Sequence, residues 1–182
     1  MSFFFDGCCG KKGASQAARN RGWLVITLDI DPKFKPDICI DVRQFTYTGP
    51  RPDLMWFSPP CLEFSRSSLP WIQSTEPPDL SIVKACKRII DETRPHYWII
   101  ENVKGAVPWF ESILGQPRFV INPFYLWGYF PIPPRINLNS KQKQSFSSTR
   151  REDRAVIPYA LSKAITIAAE SQLNFIDLLT AD

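Results

Sequence analysis

The chain has 182 residues, 44% hydrophobic and 22% charged, a globular composition that excludes the disordered and fibrous classes. Its net charge of +4 is a mild basic excess, compatible with a polyanionic partner but not a demand for one. No apolar run reaches the roughly 18–20 residues of a membrane span and no charged-then-apolar leader opens the chain, so the expectation is one soluble, cytoplasmic domain over residues 1–182.

Taken in chain order, Phe3-Phe4-Phe5 is a short apolar run that stops at Asp6-Gly7-Cys8-Cys9-Gly10-Lys11-Lys12-Gly13. Ala14 to Arg21 reads as a helix closed by Gly22. Trp23 to Leu28 reads as a buried strand ending at Asp29, and Ile38 to Ile40 as a short one ending at Asp41. A fourth strand, Asp53 to Phe57, stops at Ser58-Pro59-Pro60-Cys61. Ile82, Val83, Cys86, Ile89 and Ile90 share one face of a helix near Leu80 to Glu92. His96 to Ile100 is a fifth strand, ending at Glu101-Asn102-Val103. Beyond Pro117, Phe119 to Ile121 and Arg135 to Leu138 are candidate strands joined by a proline- and aromatic-rich connection, Pro123 to Pro134. Residues 139–154 read as a mobile basic loop, and a closing helix runs from about Tyr159 through Ala169. Continuous apolar strands alternating with amphipathic helices predict an α/β fold, a mostly parallel sheet with helices on both faces.

Open α/β sheets bind ligands outside the carboxyl ends of their strands. Here those ends carry Asp6 and Gly7, Asp29, Asp41, Ser58 to Cys61, and Glu101. The spacing Gly7-x-x-Gly10-x-x-Gly13 lets a ligand approach the backbone, or makes an ordinary tight turn. Asp29 is placed to accept from ribose hydroxyls or to cap a turn, and Asp41 to accept from an adenine amino group or do the same. Two prolines fix a rigid extended loop that presents Cys61 either as a nucleophile or as a buried thiol. A carboxylate at the end of an apolar strand, as Glu101 is, has a raised pKa and suits proton donation to a substrate nitrogen; the alternative is a salt-bridged structural acid. The single histidine, His96, makes His-rich zinc sites and His-dependent triads hard to build. The five cysteines form no C-x₂-C pair, and no metal is expected.

In order, Phe5-x-Gly7-x-x-Gly10, Asp29-x-Asp31, Asp41, Pro59-Pro60-Cys61 with Phe64-Ser65, and Glu101-Asn102-Val103 resemble the motifs of cytosine-5 DNA methyltransferases, the short forms of phages and viruses above all. Ile157-Pro158-Tyr159-x-Leu161-Ser162 resembles that family's C-terminal cofactor-pocket segment. The resemblance implies a Rossmann-like fold that binds S-adenosylmethionine. Phe5, Gly7, Gly10, Asp29, Asp41, Ser58, Pro59 and Ser162 would line the cofactor. Cys61 would attack C6 of the cytosine and Glu101 would contact N3, with Ser65, Asn102, Arg135, Arg150 and Arg151 toward the nucleic acid.

The chain departs from the family at several places. Cys9 replaces a motif glycine, Leu62 replaces the usual Gln after the cysteine, and Glu63 stands where a small residue is common. Of the family's Gln-x-Arg-x-Arg motif, Arg135 is the plausible remnant. Where the family inserts a target recognition domain, the stretch Ile136 to Arg154 stands alone. The expected partner is therefore nucleic acid, DNA first and RNA or a free nucleotide otherwise, with a specificity-providing protein as a further partner. The competing readings are an amino-group methyltransferase acting on cytosine N4 or adenine N6, and a non-catalytic cofactor- or nucleic-acid-binding module. Position 61 separates the first of these, since an amino-group enzyme places a stacking aromatic there.

Overall fold

The computed structural model describes residues 1–66, 77–134, 136 and 156–179, with side chains through residue 175. Its order is β1 (Phe3–Gly7), α1 (Gln16–Asn20), β2 (Leu24–Asp29), β3 (Ile38–Cys39), β4 (Leu54–Phe57), α2 (Leu62–Arg66), α3 (Ser81–Thr93), β5 (Tyr97–Asn102), α4 (Val107–Leu114), β6 (Phe119–Ile121), β7 (Phe124–Tyr129) and α5 (Tyr159–Leu179). The strands form one sheet in the order β3-β2-β1-β4-β5-β7-β6. The pairs from β3 to β5 are parallel, while β7 runs antiparallel to both β5 and β6.

Alternation along the central strands sorts their side chains between two cores. Phe4, Val25, Leu54, Trp56, Tyr97 and Ile99 pack with Ala18 of α1 and with Leu161, Ile165 and Ala169 of α5. Phe3, Phe5, Leu28, Met55, Phe57 and Ile100 pack with Val83, Cys86, Ile89 and Ile90 of α3 and with Phe110 of α4. The sheet is thus covered on both faces, as its near-continuous apolar strands require. The reversal of connection between β1 and β4 opens the crevice at the carboxyl ends of the parallel strands.

The structure corrects the sequence reading in three places. The connection Pro123 to Pro134 contains β7, which pairs with five residues of β5 from Trp98 to Asn102. Its Gly128, at φ +139°, lies so close to Trp98 that a Cβ would sit 2.1 Å from that residue's carbonyl oxygen. Two helices, α2 and α4, form where the pattern predicts none; α4 begins with Pro108 in its first turn, where a missing N–H costs nothing. The fifth strand runs on through Glu101 and Asn102, so both belong to the sheet itself. The candidate strand Arg135 to Leu138 and the basic loop 139–154 lie outside the described residues, Ile136 aside. No helix among the described residues is long and apolar enough to cross a membrane.

Candidate active site

The site has two halves. The first is built on the ends of β1 and β2. Three residues of its loop, Cys8 (φ 52°), Gly10 (φ 47°) and Lys12 (φ 59°), take left-handed conformations, which fold the chain tightly over the end of β2. The Cys9 amide donates to the Leu28 carbonyl (3.0 Å) and the Gly10 amide to the Asp29 carboxylate (2.8 Å). The other oxygen of Asp29 accepts from the Asp31 amide (2.9 Å). Gly7, Gly10 and Asp29 therefore form one cluster.

The glycines serve different ends. A Cβ on Gly7 would meet the Phe57 ring at 2.2 Å, and one on Gly13 would meet the Ile157 carbonyl oxygen at 2.6 Å. A Cβ on Gly10 would meet nothing within 4 Å, which leaves open space above the loop at that point. Gly13 thus seats the segment that leads into α5, and Ser162 fastens it: its hydroxyl donates to the Ala14 carbonyl (2.6 Å) and accepts from the Ala17 amide (3.3 Å). Both polar roles of Ser162 are spent on the loop, which it shapes from behind.

Phe5 is fully buried, with Phe45 stacked on it (5.7 Å between centroids), Tyr47 edge-on (5.4 Å) and Phe57 tilted (6.0 Å). Asp41 stands in an ion pair with Arg43 (2.6 Å), whose hydrogen bonds hold the carboxyl below its usual range. Arg43 extends to the Ser81 hydroxyl (3.4 Å) at the start of α3. Asp6 points to the opposite face of β1 and accepts from the Ser15 hydroxyl (2.5 Å), but its Oδ1 is buried with no partner. Burial pushes this carboxyl up to about 7.

The second half is built on β4 and β5. Phe57 pairs with Ile100, so Ser58 and Glu101 follow side by side along the parallel strands. Asn102 binds the two strand ends together: its amide nitrogen donates to the Pro59 carbonyl (3.0 Å), and its oxygen accepts from the Val103 amide (2.9 Å). Cys61 follows directly at the head of α2, where its carbonyl accepts from both the amide and the hydroxyl of Ser65 (2.9 Å each). Phe64 anchors that helix edge-on against Phe110 (5.0 Å). Glu101 is 8% exposed, and burial raises its carboxyl to about 7 against an opposing hydrogen bond from Ser58. Pro59, Pro60, Leu62, Phe64, Ile82 and Val83, with the carboxylates of Glu63 and Asp79, line a cavity of about 190 Å³ beside this loop.

The thiols divide in the same way. Cys8 is held well above its usual pKa by a hydrogen bond with Cys86 and by burial, and burial does the same to Cys9. Cys61 is half-buried in the loop between β4 and α2. No disulfide links any of them.

Residues 20–109 match the family model of the C-5 cytosine-specific DNA methylases, a span that takes in Asp29, Asp41, the Pro59-Pro60-Cys61 loop and Glu101. The matched segment belongs to that family. No curated protein matches it in sequence. Among solved structures, it resembles a proposed DNA modification methyltransferase encoded within an E. coli prophage, at 16% identity and a TM-score of 0.50 over 71% of this chain and 47% of that one. It also resembles the S. pombe Dnmt2 methyltransferase, at 14% identity and a TM-score of 0.46 over 82% of this chain and 55% of that one. At 16% identity the likeness to the prophage protein is one of fold, a Rossmann-like sheet. The chain spans about half the length of each of these proteins.

Methylases of this family take their methyl group from S-adenosylmethionine, and the first half of the site suits such a ligand. Open space lies above Gly10, and Asp29 closes the end of β2 with a carboxylate that has lone pairs to spare for hydroxyl donors. Two residues that the sequence did not single out shape this half. Arg43 covers Asp41, and the ring of Phe57 lies against Gly7. An arginine two residues after the acid was the available signal for the first; nothing local announced the second. Arg135, Arg150 and Arg151 lie outside the described residues.

Proposed function

We propose that the protein transfers a methyl group to C5 of cytosine in DNA, through a covalent adduct of Cys61. The observation that carries this reading is the Asn102–Pro59 hydrogen bond: with Ser58 beside Glu101, it fixes the cysteine loop against the carboxyl that would serve the same ring. In this reading Cys61 adds as thiolate to C6 of the cytosine. Glu101, protonated to an appreciable extent near pH 7, gives a proton to N3 and takes up the charge that the addition pushes onto the ring. C5 thereby becomes nucleophilic. S-adenosylmethionine, when bound, supplies the electrophilic methyl group. Loss of the C5 proton then re-forms the ring double bond and expels Cys61.

Phe5, Gly7, Gly10, Asp29 and Asp41 form the cofactor side in this proposal, with Asp29 toward the ribose and Asp41 toward the adenine. Use of Asp41 by an adenine requires Arg43 to share or release it. A cytosine must leave its stack before a thiol can reach C6, so the substrate is an unpaired or flipped base. In this reading the substrate is single-stranded or a small nucleotide, or else a partner protein supplies the sequence specificity.

The test is incubation with methyl-labelled cofactor and separate single-stranded DNA, duplex DNA and RNA, followed by nucleoside analysis. Label in 5-methyldeoxycytidine supports the reading. Label in an N4- or N6-methylated base, or in none, overturns it.

A further inference from the structure

Cys61 hangs on a short support. Helix α2 has five residues, Leu62–Arg66, too few to stand without packing around it. Ser65 ties it to the cysteine, since its amide and hydroxyl both donate to the Cys61 carbonyl. Two side chains tie the helix outward. Phe64, 4% exposed, packs edge-on against Phe110. Glu63, roughly 100° around the helix from it, accepts from the Asp79 amide through Oε2 (2.7 Å). That amide sits on a fixed corner. Pro77 and Pro78 precede it with restricted φ angles. The Asp79 carboxylate caps α3, accepting from the Ser81 amide (2.7 Å) and hydroxyl (2.8 Å). Helix α3 is seated in the core by Val83, Cys86, Ile89 and Ile90. The Glu63 bond thus joins the cysteine helix to a long helix that the sheet holds. Glu63 is one of the chain's departures from the family motif, and a small side chain there could not reach α3.

We propose that Glu63 is a positioning residue for Cys61: its carboxylate latches the cysteine helix onto the start of α3 and so fixes the backbone from which the thiol attacks. This inference rests on reading Cys61 as the nucleophile. Glu63 touches no reacting atom and acts through the backbone of α2. Glu63 and Asp79 line the cavity that Pro59, Pro60 and Leu62 also line, so the latch stands beside the cysteine loop. A carboxylate that accepts a backbone N–H makes a stronger bond than a neutral pair. A small displacement of a nucleophile costs rate out of proportion to stability. The part of Glu63 that matters is therefore its accepting oxygen, which glutamine keeps and alanine lacks.

The test uses the intact chain with Glu63→Ala, Glu63→Gln and Asp79→Asn, and with Cys61→Ser as the reference for lost chemistry. Glu63 is exposed, so its replacement leaves the core intact. Turnover and cofactor KM are measured with labelled S-adenosylmethionine and the DNA that the wild type labels best. Amide exchange along α2 and α3 is followed by NMR. In Glu63→Ala turnover falls about tenfold, the scale of one hydrogen bond to a charged group, with cofactor KM unchanged. Exchange at the Ser65 amide quickens by about the same factor, while the buried middle of α3 exchanges as in the wild type. Glu63→Gln recovers most of both. Asp79→Asn keeps the amide donor and a capping oxygen, and changes neither. Equal losses in Glu63→Ala and Glu63→Gln would trace the effect to charge and overturn the inference. Wild-type turnover in Glu63→Ala, or a raised cofactor KM at unchanged turnover, also overturns it and leaves the methyltransferase reading standing. No methyl transfer by the wild type, or wild-type turnover in Cys61→Ser, overturns both.

Discussion

The two halves of the site handle their polar groups differently. On the β1–β2 side, each carboxylate that would face a cofactor already holds a partner. Asp29 accepts two backbone amides and Asp41 is bound by Arg43, while the glycine loop is pinned from behind by Ser162. On the β4–β5 side, a carboxyl poised near neutrality and a half-buried cysteine are held by bonds to their neighbours' backbone and hydroxyl groups. The first half is organised to present a fixed shape, and the second to change protonation and make bonds. In the function proposed above, preorganised binding belongs to the one and chemistry to the other.

The sharpest way to break this contrast is Cys61→Ser. Methyl transfer should fall by at least about a thousandfold, as for other nucleophile deletions, with no change in the melting-temperature rise given by S-adenosylhomocysteine. Retained turnover would move the chemistry elsewhere. Glu101→Gln comes next, with a loss of about a hundredfold in turnover and little in cofactor affinity. Because its raised pKa keeps Glu101 protonated below about 7, wild-type turnover should decline as pH rises through that value, and the decline should vanish in the variant. A matching profile in the two proteins would count against proton donation.

Gly7→Ala probes the other half. Its Cβ would lie 2.2 Å from the Phe57 ring, and overpacking of this kind costs about 1–3 kcal/mol. Denaturant midpoints should fall and cofactor affinity with them; an unchanged midpoint would mean that the ring moves freely. Asp6→Asn tests the buried carboxyl beneath the loop. The folded pKa of Asp6 lies above its unfolded one, so its ionisation costs stability progressively as pH rises from about 4 to about 7. The variant should melt a few °C higher than wild type at pH 8, with the difference closing by about pH 4. Smallest of all, Arg43→Ala removes an exposed pair worth about 0.2–1 kcal/mol, so stability should barely change. Cofactor affinity should rise or hold, and a large loss would show that Arg43 is itself a ligand.

Much of this arrangement was legible in the sequence, because strand ends in a parallel sheet announce themselves as apolar runs stopped by polar residues. Asp29 and Ser58 stand where that rule puts them, while Glu101 lies one residue inside the end of β5. The final hairpin was not legible, since Pro123 and Gly128 punctuate β7 as they would a loop, and the strand exists because Gly128 can approach Trp98 closely. Nor could spacing reveal what each side chain touches. Phe5 lies in the core beneath Phe45 and Tyr47, Gly13 is small for the sake of Ile157, and the Ser162 hydroxyl serves the loop backbone. These are contacts across long sequence separations, set by packing that a linear pattern does not encode.

The clasp between Ser162 and the Ala14 and Ala17 backbone bears on the order of assembly during synthesis. The helix that holds the back of the glycine loop follows it by some 145 residues, so it is synthesised well after the loop. Until α5 docks, helix α1 and the loop before it lack their outer wall, together with the Arg21–Glu170 ion pair. The cofactor side of the proposed site is therefore finished only once α5 has packed against α1.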